Sequence, residues 1–241
     1  MSHVPAPVLR AIVLAAGLGQ RMRPITDTLP KPLVAVGGKT MLDHALDRLH
    51  AAGVDQAIVN VHHLADQVER HVVRRAQPRI AISDERGALL ETGGGVKKAL
   101  PLLGDGPFIA MNSDSLWIER GRPAIPGLIA SWDERRMDML LLLARYDETF
   151  GFEGRGDFTM DAEGRLARRV GDRAPFVFAG VSVMKANLFR DTPDGSFSLN
   201  LLFDRCIARG RLYGHVLDGT WLHVGEPGAI EPANALFAAT A

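Results

Sequence analysis

The sequence predicts an α/β fold, a mostly parallel sheet with helices on both faces, followed by a small β-rich insert. Three observations carry that expectation. The chain has 241 residues, of which 46% are hydrophobic, enough to bury the core of one domain near the upper end of the usual size range. Up to Tyr146, short apolar runs alternate with segments of helical period, the rhythm of βαβ units. Beyond Tyr146 the segments shorten and turn signals separate them, which is the texture of added hairpins. The expected organisation is a single domain over 1–241, with a change of texture after residue 146.

Taken in order, Leu9 to Ala15 reads as a buried strand. Met41 to Ala52 reads as a helix with Leu42, Ala45, Leu46 and Leu49 on one face and Gly53 as its stop. Ala57 to Val61 is a strand, Leu64 to Arg75 a helix, and Ile80 to Ser83 a strand. Leu89 to Gly95 is expected as a glycine loop before a short helix, Val96 to Leu103, stopped by Gly104. Phe108 to Met111 is a strand running into Asn112-Ser113-Asp114. Ile125 to Arg135 is a helix, and the unbroken leucine run within Met137 to Ala144 marks a strand buried on both faces. In the last third, Asp157 to Met160 and Leu166 to Val170 flank the turn Asp161-Ala-Glu-Gly164, and Phe176 to Met184 is a further strand. Leu199 to Arg209 is a helix stopped by Gly210. Leu212 to Leu217 and Trp221 to Val224 are short strands, and a terminal helix begins at Pro227, with Pro232 set against it.

Bulk properties exclude several partners. Lys+Arg and Asp+Glu stand at 28 each, so a general basic face for nucleic acid or anionic membrane is not expected, and an anionic ligand must be met by locally placed cations. The single cysteine, Cys206, rules out an intramolecular disulfide and fits a reducing compartment. The opening Met-Ser-His-Val-Pro-Ala-Pro has neither the charged nor the apolar part of a secretion signal. No apolar run is long enough to span a bilayer, so a cytoplasmic location is expected.

Chemistry concentrates in Leu14 to Val34. An apolar strand ends in Ala-Ala-Gly17-Leu-Gly19-Gln20-Arg21, and Lys31 follows between Pro30 and Pro32. Glycines let backbone N–H groups approach an anion, while fixed cations neutralise it; prolines on both sides of Lys31 restrict its backbone in advance. Two familiar nucleotide motifs fail here. The dinucleotide fingerprint needs glycine where Met22 stands and an immediate helix, which Pro24 blocks; a P-loop ending in Gly38-Lys39-Thr40 would need glycine in place of Leu33. What remains is a polyphosphate cradle of another kind.

Leu14 to Val34, with Leu90-Glu-Thr-Gly-Gly-Gly95, Asn112-Ser-Asp114 and Trp221-Leu-His-Val-Gly225, resembles the sugar-1-phosphate nucleotidylyltransferases, the NDP-sugar pyrophosphorylases. Within that family the Gly154-Arg-Gly-Asp-Phe158 and Phe178-Ala-Gly-Val-Ser-Val183 segments are most similar to the N-acetylmuramate-1-phosphate uridylyltransferases of peptidoglycan recycling. The resemblance implies the Rossmann-like nucleotide-diphospho-sugar transferase fold, with 1–146 as its nucleotide-binding part and 147–241, which holds the β-rich insert, as its sugar-binding part. It implies a nucleoside triphosphate, UTP first, and a sugar-1-phosphate, N-acetylmuramic acid 1-phosphate first, as substrates. Mannose- or heptose-1-phosphate guanylyl transfer and a non-catalytic nucleotide-sugar sensor are the alternatives.

The resemblance also implies roles. Arg21, Lys31 and Asp114 would be catalytic; Ala16, Gly17, Gly19, Gln20, Arg21, Lys31, Glu91, Thr92, Gly94 and Asn112 would hold the nucleotide; Asp157 and Gly180 would hold the sugar. Asp114 would bind Mg²⁺. The family's second metal-binding aspartate is His223 here, and Ser113 replaces a glycine, so the metal half departs from the pattern. Mg²⁺ prefers oxygen ligands, so the expectation is that Asp114, waters and substrate phosphates suffice, with a softer ion such as Mn²⁺ on His223, or loss of activity, as the alternatives. His62, His63 and His71 lack ligand spacing and are expected to be structural.

Overall fold

A computed structural model describes residues 10–240; Leu9, where the first strand was expected to begin, and the opening segment lie outside them. The chain runs β1 (Arg10–Leu14), β2 (Ala35–Val36), β3 (Lys39–Thr40), α1 (Met41–Ala51), β4 (Gln56–Val61), α2 (Ala65–Val72) and β5 (Arg79–Asp84). It continues with α3 (Glu91–Leu103), β6 (Phe108–Asn112), β7 (Leu116–Glu119), α4 (Ala124–Ala130), β8 (Met139–Arg145) and β9 (Thr149–Phe150). The last part is β10 (Phe158–Met160), β11 (Leu166–Arg168), β12 (Phe176–Met184), α5 (Asn200–Ala208), β13 (Leu212–Val216), β14 (Gly219–Leu222) and α6 (Ile230–Ala238).

One nine-stranded sheet carries the fold, ordered β11-β10-β12-β6-β1-β4-β5, with β8 on the other edge of β12 and β13 beside β8. β6, β1, β4 and β5 are mutually parallel, as the βαβ rhythm predicts. Their side chains alternate between two cores. On one face Ala11 and Val13 meet Leu42, Leu46 and Leu49 of α1, Val68 of α2 and Leu128 of α4. On the other, Ile12 meets Val96, Ala99 and Leu103 of α3 and Leu202, Phe203 and Cys206 of α5. Cys206 is inert packing, as expected: burial, with Asp138 nearby, pushes its thiol up to about 12.

The structure differs from the sequence reading at five places. β8 does not lie beside β6; β12 runs antiparallel between them, so the "insert" supplies a central strand of the main sheet. The hairpin β10–β11, expected within an insert beside the parallel sheet, is itself continuous with that sheet through β12. The cluster Glu91 to Gly95 is not a loop but the first turns of α3. α4 ends at Ala130, five residues short of the expected Arg135. A three-stranded sheet, β7-β14-β9, was not anticipated, because β7 and β9 are too short to show a period. Pro232 fits inside α6 because it is the third helical residue, where no intrahelical N–H bond is lost.

α3 tolerates three glycines because another segment packs directly on its first turns. A Cβ at Gly93 would lie 2.4 Å from the Phe197 ring, one at Gly94 would lie 2.2 Å from the Gly195 carbonyl, and one at Gly95 would lie 2.8 Å from Asn60 and Glu85. That close approach pays for itself in hydrogen bonds: the N–H groups of Gly93 and Gly94 donate to the Phe197 carbonyl at 2.8 and 3.1 Å, capping the helix from outside.

Candidate active site

The C-terminal ends of β1, β4 and β6 converge on one cavity of about 400 Å³, where open parallel sheets place their ligands. After Leu14 the chain turns sharply, and the turn is held from below. Ala15 donates its N–H to Asn60 Oδ1 at 2.6 Å. Asn60 Nδ2 in turn donates to Glu85 Oε1 at 2.7 Å, and Glu85 Oε2 accepts the Leu90 N–H at 3.3 Å. Asn60 and Glu85 are buried, so this polar chain ties the glycine loop to the entry of α3 with its partners satisfied. Gly19 adopts φ 62°, a left-handed conformation, and its carbonyl accepts the Thr26 hydroxyl at 2.8 Å. A side chain there would strike Thr26 at 2.9 Å and Lys31 at 3.1 Å.

Lys31 sits in a short 3₁₀ turn, Lys31–Leu33, after Pro30. Its Nζ meets Asp114 Oδ2 at 2.5 Å, with the lysine side chain 14% exposed and the aspartate 36% exposed. Burial opposes charge on Asp114, but the Lys31 ammonium beside it holds its carboxyl below the usual carboxylate range. Asp114 is therefore ionised at neutral pH, with Oδ1 left for another partner. His223 is the reverse case: burial, then Lys31 and Arg21, push its imidazole below the ordinary histidine value, so it is neutral. It packs edge-on to Phe152, with ring centroids 6.1 Å apart, and tilted against Trp221 at 5.6 Å.

Two further cavities adjoin. One, about 510 Å³, is lined by Arg21, Phe152, His223, Gly225 and Glu226. The other, about 260 Å³, is lined by Asp157, Phe158, Arg168, Phe178 and Phe203 and shares Thr92, Asn112 and Ser198 with the first. A glycine-walled pocket with a Lys–Asp pair at its edge, opening sideways into a second compartment, suits two anionic substrates brought end to end.

Residues 10–149 match the nucleotidyl transferase family model. The chain belongs to that family. It is 50% identical over 233 residues to the N-acetylmuramate alpha-1-phosphate uridylyltransferase of Caulobacter vibrioides, covering 95% of this chain and 96% of that one. It is 33% identical to the enzyme of the same name from Neisseria meningitidis serogroup B, covering 96% and 99%. In fold it is similar to the inositol-1-phosphate CTP transferase of T. maritima, with TM-score 0.78, 17% identity and coverage of 98% and 97%. It is likewise similar to a UDP-glucose pyrophosphorylase complexed with UDP-glucose, with TM-score 0.78, 14% identity and coverage of 98% and 100%. The Rossmann-like nucleotidyltransferase fold expected from the motifs is the fold of this chain.

Ala16, Gly17, Gly19, Lys31, Glu91, Thr92, Asn112 and Asp114 all line the first cavity. Gln20 and Arg21 are exposed and lie outside it, Arg21 on the adjoining cavity with His223. Gly94 is not on the wall; its missing side chain makes room for Gly195. Asp157 lines the third cavity, with Oδ2 accepting the Phe178 N–H at 2.8 Å. Gly180, at φ 82°, packs on Ser115 and Asn112, where a Cβ would lie 2.0 Å from the Ser115 hydroxyl; it braces the Asn112 turn. Ser113 is buried and lines the first cavity.

The sequence reading missed Asn60, Glu85, Ser198 and Arg168. Asn60 left a signal, a polar residue ending an apolar strand; the other three reach the site only through tertiary packing. His62 meets the Glu85 carbonyl and His63 the Thr26 carbonyl, at 2.7 and 2.8 Å, and His71 meets Asp43 at 2.9 Å, all structural roles. Among the described residues no group of three His, Cys, Asp or Glu side chains is placed to hold a metal. Asp114, ionised and with one free oxygen, still fits Mg²⁺, which commonly takes one or two carboxylates beside substrate phosphates.

Proposed function

We propose that the protein joins UTP and N-acetylmuramic acid 1-phosphate into UDP-N-acetylmuramic acid and pyrophosphate, a step of cytoplasmic peptidoglycan recycling. The observation that carries this reading is the Lys31–Asp114 pair on the glycine-walled cavity, in a chain sharing half its residues with a uridylyltransferase named for that substrate. A phosphate oxygen of the sugar attacks the α-phosphorus; the new P–O bond forms as the bond to the β-phosphate oxygen breaks, and pyrophosphate departs with that electron pair. A sugar phosphate with a second pKa near ~6 is largely dianionic at neutral pH, so no general base is needed. This agrees with a site whose histidine is neutral and whose aspartate is paired with lysine.

The residues act by position and charge. Gly17 and Gly19 let the triphosphate approach the backbone, Lys31 offsets repulsion between two polyanions, and Asn112 with Thr92 stands where the two compartments meet. Mg²⁺, held by Asp114, would neutralise charge on the transferring phosphate. Arg21 on the rim would meet the departing pyrophosphate.

Pyrophosphate release measured with UTP, GTP, CTP and dTTP against N-acetylmuramic acid-, N-acetylglucosamine-, mannose- and heptose-1-phosphates tests the reading. The expected outcome is turnover with UTP and N-acetylmuramic acid 1-phosphate at least ten times that of any other pair. Preference for GTP with mannose-1-phosphate would replace it with guanylyl transfer, and no release with any pair would leave a sensor.

A further inference from the structure

The third cavity holds two ionisable side chains of opposite sign, Asp157 and Arg168, between the rings of Phe158, Phe178 and Phe203 and a polar side formed by Thr92, Asn112 and Ser198. Asp157 has one oxygen committed to the Phe178 N–H and the other available to a sugar hydroxyl or acetamido N–H. Arg168, at the end of β11, is fixed on several sides. Its Nε donates to Asp204 Oδ1 at 2.8 Å and its Nη2 to Asn200 Oδ1 at 2.8 Å. Its guanidinium carbon lies 5.0 Å from the Phe158 ring centroid and 5.7 Å from that of Phe203. Its Nη1 has no hydrogen-bond partner among the described residues.

We propose that Arg168 reads a carboxylate on the sugar and so selects acidic sugar-1-phosphates over their neutral counterparts. This rests on the reading of the site as a sugar-1-phosphate nucleotidyltransferase. The phosphate end of the substrate is already met by Lys31, so the cation lining the sugar compartment is left to meet charge elsewhere on the substrate. N-acetylmuramic acid differs from N-acetylglucosamine by a lactyl ether, and that ether ends in a carboxylate. Asp204 does not cancel the guanidinium within the cavity, because its side chain is 61% exposed and its charge is screened by water. A planar guanidinium braced by two rings and two oxygen acceptors is preorganised, so a carboxylate meeting its free edge loses little to ordering.

Steady-state kinetics with UTP and either sugar-1-phosphate, in wild type, Arg168→Met and Arg168→Lys, test this. Methionine keeps an unbranched side chain over the two phenylalanine rings while removing the charge. Arg168→Met should lower kcat/KM for N-acetylmuramic acid 1-phosphate roughly 10–100-fold, mostly through KM, as expected for one charge-assisted contact. N-acetylglucosamine 1-phosphate should change less than about threefold, and Arg168→Lys should recover part of the loss. A matching experiment needs no variant: the lactyl methyl ester, offered to the wild-type protein, should lose a similar factor.

Equal losses on both sugars would mean that Arg168 only braces the fold and would overturn the inference. So would an unchanged KM for the acidic sugar, or full activity with the ester. Wild-type turnover of N-acetylglucosamine 1-phosphate above its lactyl ether would sink this inference and leave nucleotidyl transfer standing. No pyrophosphate release with any sugar-1-phosphate would sink both.

Discussion

Lys31 and Asp114 lie 83 positions apart and meet at 2.5 Å on the wall of the first cavity. The pair faces the cavity, so water reaches whichever partner survives a truncation. Lys31→Ala and Asp114→Ala are each expected to lower kcat/KM by about 10²–10³-fold, while the melting temperature moves by only a few degrees; near-native turnover in either would remove the mechanism. The acid limb of the rate profile follows from the same residues. Asp114 is held below the ordinary carboxylate value and loses its charge only as the pH falls through that lowered value. His223 is pushed down and is neutral above it. The sugar phosphate takes up its second proton at about pH 6, and we expect the limb to belong to substrate. His223→Gln should leave it in place; a limb displaced by a full unit would assign it to the histidine instead. Lys31 was legible in the sequence because its constraint is local, a lysine between two prolines. Arg168 was not, because its meaning comes from Asn200, Phe203 and Asp204, more than thirty positions away.

The glycines of α3 show where local reading of an element fails. Three consecutive glycines after a threonine oppose helix formation on propensity alone, and a loop was the reasonable expectation. The helix forms because residues 195–199 pack on its first turns, with Phe197 receiving two N–H groups and Thr92 Oγ1 accepting the Leu199 N–H at 2.9 Å. These partners lie about a hundred positions downstream, out of reach of any window. The same contact fixes Thr92 and Ser198 together on the cavity wall, so packing and binding are coupled here. Gly94→Ala puts a methyl 2.2 Å from the Gly195 carbonyl, backbone against backbone, with no flexible side chain to yield. We expect a loss of about 1–3 kcal/mol in stability, the usual range for overpacking, together with a raised KM for UTP as Glu91 and Thr92 shift. Urea unfolding and nucleotide titration of the variant check both parts; unchanged stability would mean that the 195–199 segment moves aside freely.

At the scale of the whole molecule, the parallel half of the sheet was readable because each strand is followed by the helix that returns the chain. The placement of β12 between β6 and β8 was not, because antiparallel pairing across seventy residues leaves no trace in periodicity. The fold that results has three histidines at its seams. His44 joins α1 to the Val36 carbonyl at 2.7 Å and stacks on Phe237 of α6, with ring centroids 5.1 Å apart. His215 lies between β13 and α4, meeting the Ser131 hydroxyl at 3.0 Å, and His223 lies between β14 and Phe152. Burial lowers all three below their ordinary value; for His44 the Val36 carbonyl opposes that, and for His223 Lys31 and Arg21 add to it. The unfolded chain therefore takes up protons near pH 6.5 that the folded one refuses until lower pH, so stability is complete above that value and falls as the pH drops below it. The paired aspartates Asp47, Asp114 and Asp138 are lowered by their lysine and arginine partners despite burial, and their contributions persist until the pH falls through values below 3.8. Melting temperature is thus expected to decline in two stages, the first setting in below about pH 6.5 from these histidines. His44→Gln combined with His215→Gln should shrink that first stage to the share of His223 and leave the second. A melting temperature constant from pH 7 to 5 in the unsubstituted protein would contradict the account.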